Sequence, residues 1–208
     1  LHFDNHFWLE HIPKVYADKN GLSLKEATTR LMAQFEAYRG QLNWYCLDFW
    51  SKKLNLNIAE LKRDTEDKIA YRPYVLPFLR SMREHGIATY IVTNAHHGSI
   101  AIKMEKTALI NHVDKIISSH DYNAAKESQD FWLQLQEEHQ LDLPSTLFID
   151  DSLAVLRAAR KFGVGTLMTI LKPDSQQPAR ELDSEFSTLD CFSNITPVQS
   201  REIVTIDD

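Results

Sequence analysis

Residues 146–163 read TLFIDDSLAVLRAARKFG. A short apolar run ends in two adjacent carboxylates, Asp150 and Asp151. A serine and a stretch with helical periodicity follow, and Gly163 stops it. The run is too short for a helix and suits a buried strand. Two like charges at its mouth repel by about 1 kcal/mol at 4 Å in water, and by more in a drier site. Such a pair needs a partner, and a cation is the simplest one.

Outward from this stretch, the chain alternates between the two periodicities. Residues 73–85 predict a helix ending at Gly86. Then come IATYIV (87–92), a helix near 99–109, KIISS (115–119), a helix near 128–139, the opening stretch, and GTLMTIL (165–171). Apolar strands separated by helices imply a parallel sheet of right-handed βαβ crossovers. Residues 1–70 contain no persuasive strand. Ser23-Leu24-Lys25-Glu26 is a capping box that opens a helix running to about Arg39. Residues 42–54 and 58–69 predict further helices. Beyond Lys172 the pattern dissolves into a polar tail.

In open parallel sheets, ligands bind beyond the carboxyl ends of the strands. After 87–92 come Thr93 and Asn94. The loop after 115–119 holds Lys126. After 146–149 come Asp150 and Asp151. A hydroxyl, an amide, an ammonium and two carboxylates on one sheet edge suit a phosphate and a divalent cation. Thr93 and nearby amides can donate to phosphate oxygens, and Lys126 can neutralise anionic charge. The aspartates offer hard oxygen ligands, which favours Mg²⁺ over zinc. Each feature also has a plainer use. Asp and Ser are favoured as helix caps, Thr-Asn suits a turn, and a loop lysine is usually solvated.

Other chemistries find little support. There is no GxGxxG, P-loop or GxSxG, and Gly163-Val164-Gly165 is a helix stop followed by a strand. His2, His6 and His11, with Asp4 and Glu10, have a spacing that could hold zinc on a helix, but such spacing arises easily by chance. His96-His97 would decorate the rim of the strand-end site. The 208 residues carry a net charge of −6 and no Lys/Arg run, so no nucleic-acid surface is expected. No apolar stretch approaches the roughly 20 residues of a membrane helix, and no signal-peptide pattern is present. Cys46 and Cys191 lack CxxC spacing, which fits a reducing cytoplasm.

In their order, YIVTN, the loop lysine and LFIDDS resemble motifs II, III and IV of the haloacid dehalogenase superfamily. FDNHFW (3–8), LNWYCLDFW (42–50) and VTNAH (92–96) are similar to the bacterial GMP/IMP nucleotidase group within it. The resemblance implies a Rossmann-like, three-layer α/β core over 71–175 with a mostly parallel sheet. It also implies a helical cap over 1–70, inserted near the N-terminus, and a tail over 176–208 partly packed on the core. It implies a Mg²⁺-dependent phosphatase that hydrolyses phosphomonoesters of a small metabolite, in this group purine 5′-nucleotides, through an aspartyl-phosphate. Thr93, Asn94 and Lys126 would then bind phosphate, Lys126 would also offset charge at the nucleophile, and Asp150 and Asp151 would help hold Mg²⁺, Asp151 directly.

The departure from the family pattern is that no Asp-x-Asp-Gly-Thr occurs in the sequence. The family places it just ahead of the segment matching Leu1 to Asn5. The expectation is therefore that the nucleophile, the acid/base aspartate, one metal ligand and the first core strand precede Leu1 in an intact parent, and that the chain as written is inactive. The alternative is a non-catalytic nucleotide- or protein-binding relative. Trp44, Tyr45, Phe49 and Trp50 could stack a base or simply fill a core. Oligomeric state is not readable.

Overall fold

The computed structural model describes residues 2–181 and 185–195. Its first half is helical. α1 (His2–His6), a π-helical turn (Phe7–His11) and α2 (Ile12–Asn20) follow one another directly. Pro13 explains the π-turn. It has no N–H to give, and its ring crowds the carbonyl four residues back, so the preceding turn widens until Ile12 N–H bonds to the Phe7 carbonyl. α3 (Leu24–Glu36) opens on the expected capping box, with both reciprocal bonds between Ser23 and Glu26 formed.

The single helix expected over 42–54 is two, α4 (Leu42–Tyr45) and α5 (Leu47–Leu54). They are parted by Cys46, whose backbone is extended and whose Sγ accepts from Phe49 N at 3.4 Å. The helix expected over 58–69 ends early as α6 (Ile58–Arg63), and a 3-10 turn (Glu66–Lys68) follows. Phe7, Ile12, Leu31, Phe35, Leu47, Trp50, Leu54 and Ile58 form this half's core.

The second half alternates helix and strand: α7 (Val75–Glu84), β1 (Tyr90–Thr93), α8 (His97–Thr107), β2 (Lys115–Ser118), α9 (Gln129–His139), β3 (Leu147–Asp150), α10 (Leu153–Phe162) and β4 (Thr166–Ile170). β1 begins three residues later than its apolar run suggested, and Ile87 is exposed. A further strand, β5 (Ser187–Leu189), lies in the tail that was expected to be polar and irregular. It pairs parallel to β4 and buries Leu189. Three residues with one apolar anchor are too short for periodicity to reveal.

All pairings among the described residues are parallel. β1 pairs with β2, placing Thr93 opposite Ser118, and β3-β4-β5 form a second ladder. Among the described residues no strand is hydrogen-bonded to both β1 and β3. The two ladders nevertheless share one core. Ile117, Phe131, Trp132, Leu135, Val155, Ala158 and Ala159 are buried there, with Val92, Phe148 and Leu167 packed against them.

Gly163 and Gly165 serve different ends. Gly163 takes the left-handed conformation that stops α10, at φ 106°. A Cβ on Gly165 would lie 2.0 Å from the Pro144 carbonyl oxygen. The pair is structural and cradles no phosphate.

Candidate functional site

Parallel pairing sends every strand's carboxyl end to one side, and there the residues picked from the sequence meet. Lys126 is 7% exposed. Its Nζ donates to Asp150 Oδ2 at 2.5 Å and to the Val92 carbonyl at 3.2 Å. The ammonium therefore bridges the open edges of β1 and β3. Asp150 spends its other oxygen on Ser152 N at 2.8 Å, which also shapes the entry to α10. Ser152 itself caps that helix by accepting from Val155 N.

Asn94 is buried, and both ends of its amide are hydrogen-bonded. Its Oδ1 accepts from Lys126 N at 2.9 Å, and its Nδ2 donates to Glu127 Oε2 at 3.0 Å. It fastens the lysine loop to the end of β1. Thr93 Oγ1 accepts from Ala95 N at 3.0 Å, which leaves its own proton to donate.

Asp151 differs from Asp150. No other described residue hydrogen-bonds its carboxylate. Burial, and after it the charge on Asp150, push its pKa above the ordinary carboxylate range, with Lys126 pulling the other way. A desolvated oxygen ligand beside a second carboxylate fits a hard divalent cation. Asp151 is the carboxylate with capacity to spare, whereas both oxygens of Asp150 already have donors. These two residues would supply only part of the six oxygens that Mg²⁺ requires.

Of two neighbours, Glu127 was missed in the sequence, and Tyr45 was named only as an aromatic to stack a base or fill a core. Glu127 follows Lys126 and accepts from Tyr45 Oη at 2.7 Å, so a side chain of the helical half closes the Asn94–Glu127 chain. Burial and then the Glu127 carboxylate raise the Tyr45 pKa, so the phenol remains a donor. A tyrosine among buried aromatics needs a partner for its hydroxyl, and that was the available signal. Trp50 is core, edge-on to Phe35, and Trp44 and Phe49 pack around it. Of the four aromatics expected either to stack a base or to fill a core, only Tyr45 reaches the strand ends with a hydrogen bond.

The amino-terminal histidines do not gather around a shared point. His6 faces Glu10, His11 faces Asp64 and His2 faces Asp174, while Asp4 is held by Lys62 and Lys103. His96 does more than line a rim. It caps α8, its Nδ1 accepting from Gly98 N at 3.3 Å, and its ring meets His120 edge-on. Burial first, then His96 and His97, lower the pKa of His120.

Comparison with known proteins agrees with this layout. Residues 5–169 match the family model for haloacid dehalogenase-like hydrolases. The chain is 37% identical to the GMP/IMP nucleotidase YrfG of Escherichia coli K12 over 175 residues, covering 84% of this chain and 79% of that protein, and the same figures hold for its Shigella flexneri counterpart. The fold is similar to that of a HAD phosphatase from Thermococcus onnurineus, with a TM-score of 0.76 at 22% identity over 92% of this chain and 89% of that one. It is also similar to the HAD-hydrolase YfnB of Bacillus subtilis, in a structure bound to magnesium, with a TM-score of 0.56 at 17% identity over 92% and 80%. The chain belongs to the haloacid dehalogenase-like hydrolases.

Proposed function

We propose that this chain carries the phosphate- and cation-binding part of a Mg²⁺-dependent phosphomonoesterase acting on purine 5′-nucleotides, GMP and IMP among them. The observation that carries it is the Lys126 ammonium, enclosed at the strand ends between Asp150 and the Val92 carbonyl and positioned by Asn94. Thr93 Oγ1 and the amides around it donate to the phosphate, and Lys126 offsets its charge. Asp151, with Asp150 beside it, holds Mg²⁺, which would neutralise charge on the phosphoryl group when bound. Residues 1–70 act as the cap that excludes water, and Tyr45 is its contact with the site. The relatives' named substrates support the nucleotide assignment, and the magnesium-bound neighbour supports the cation.

Hydrolysis through an aspartyl-phosphate needs a nucleophilic carboxylate, and the family's Asp-x-Asp-Gly-Thr is absent from these 208 residues. The test is phosphate release from GMP, IMP, pyrimidine nucleotides and sugar phosphates. It compares the chain as it stands with one carrying an apolar strand that ends in Asp-x-Asp-Gly-Thr ahead of Leu1. Release is expected only from the extended chain, with purine nucleotides preferred, and Lys126→Met should lower kcat on the order of 10²-fold. If the extended chain, shown to be folded, released phosphate from no monoester, the proposal would be wrong. Turnover by the 208 residues alone would place the nucleophile elsewhere.

A further inference from the structure

Beside the strand ends lies a second cluster that phosphate chemistry does not use. Cys46 Sγ and one ring nitrogen each from His96 and His120 lie within 4.8 Å of one another. Each comes from a separate, well-fixed element. Cys46 sits at the break between α4 and α5. His96 precedes α8. His120 lies in the 3-10 turn (Ser119–Tyr122) that follows β2. Ser118 locks two of these loops together, donating from Oγ to the Ala95 carbonyl at 2.8 Å while accepting from His120 N at 3.2 Å.

His120 Nε2 is enclosed and has no hydrogen-bond partner. In the tautomer protonated at Nδ1, Nε2 presents a lone pair that can ligate a metal. An enclosed imidazole nitrogen left unsatisfied is costly, which favours a ligand there. The His96 capping bond is long at 3.3 Å and easily surrendered.

We propose that Cys46, His96 and His120 form a zinc site that fastens the helical half to the loops after β1 and β2. One sulfur and two imidazole nitrogens make a borderline-soft donor set, which suits Zn²⁺ and sets the site apart from the all-oxygen aspartate pair. Zinc bond lengths put tetrahedral ligands about 3.3–3.8 Å apart, so side-chain shifts of about 1 Å would close the present spacing. Water takes the fourth position, or Asp48, whose Oδ2 lies 3.7 Å from His96 Nε2.

The test is titration of the full chain with Co²⁺, whose absorption reports its ligands without any turnover. One equivalent should bind, with a thiolate-to-cobalt charge-transfer band and intense tetrahedral d–d bands, and Zn²⁺ should bleach both. Cys46→Ser should abolish the charge-transfer band, Cys191→Ser should keep it, and His120→Ala should weaken binding at least about tenfold. No thiolate band, or one that survives in Cys46→Ser, would overturn the proposal. Should Cys46→Ser fail to fold, alkylation of the unaltered chain decides. Zn²⁺ should slow labelling of Cys46 at least about tenfold and leave Cys191 unchanged, whereas equal labelling with and without Zn²⁺ would refute the site.

Discussion

Asp150 and Asp151 are neighbours in sequence but opposites in environment. Asp150 is paired with Lys126 and capped by Ser152 N, whereas Asp151 is desolvated and accepts no hydrogen bond from another described residue. A carboxyl whose folded pKa lies above its unfolded one costs stability when ionised, and the cost disappears as pH falls and both states take up the proton. Asp151→Asn should therefore stabilise the chain at neutral pH, on the order of 1 kcal/mol as at other functional positions. The two proteins should converge in acid, below the ordinary carboxylate range. Millimolar Mg²⁺ should raise the Tm of the unaltered chain but not of the variant. An equal Mg²⁺ shift in both would remove Asp151 from the cation site. From sequence the two aspartates looked equivalent, because adjacency in the chain says nothing about which carboxylate a distant lysine will meet. Thr93, Asn94 and Lys126 were legible because strand ends collect on one edge whatever the loops do. Glu127 and Tyr45 were not, since their bond spans 82 residues and joins two elements whose packing no local pattern encodes.

At the scale of elements, long periodic segments were the most legible. α10 spans the residues its apolar spacing indicated, and its cap and its glycine stop act as their types suggest. Misses fell where a tertiary contact outranks propensity. Cys46 breaks a stretch that reads as continuous helix, and β5 exists because β4 offers it a ladder. Gly165 shows the same principle in a residue that the sequence placed at the start of a strand. Its backbone is not left-handed, so an alanine would suit the conformation, yet a Cβ there would strike the Pro144 backbone. A carbonyl in a turn cannot swing aside as a side-chain tip can. The Gly165 N–H bond to the Leu143 carbonyl, at 2.8 Å, holds the two segments together. Gly165→Ala should cost about 2–3 kcal/mol, as overpacking does, and would be seen as a lower urea midpoint with an unchanged slope. A loss under about 0.5 kcal/mol would mean that the Pro144 turn yields freely.

At the scale of the molecule, several polar ties join the two halves, and one of them runs through Asp4. Its carboxylate receives Lys62 Nζ from α6 at 2.8 Å and Lys103 Nζ from α8 at 2.7 Å, so α1, α6 and α8 share one charge cluster. The Lys62 ammonium also lies over the rings of Phe3 and Phe7. Burial pushes the Asp4 carboxyl up, but Lys103 and Lys62 together outweigh it and hold its pKa well below the ordinary range. Burial pulls Lys62 down, with Asp4 opposing. Asp4→Asn would leave the enclosed ammonium without its counter-charge. The expected loss is about 3 kcal/mol, the low end for breaking such a pair, because the Asp4 and Lys103 side chains keep 27% and 32% of their surface exposed. The sign of the pH dependence follows from the depressed carboxyl. Its contribution is complete above the unfolded carboxylate's pKa, near pH 4, and is lost as pH falls toward the folded value. The gap between the unaltered chain and Asp4→Asn should therefore be widest near neutrality and close in acid. In alkali the variant should regain part of its stability, because a lysine depressed in the fold sheds its proton there first and the unfolded chain then binds more protons. Urea midpoints from pH 3 to 10 measure all three limbs, and a gap independent of pH would show that Asp4 joins the halves by shape and hydrogen bonding rather than by charge.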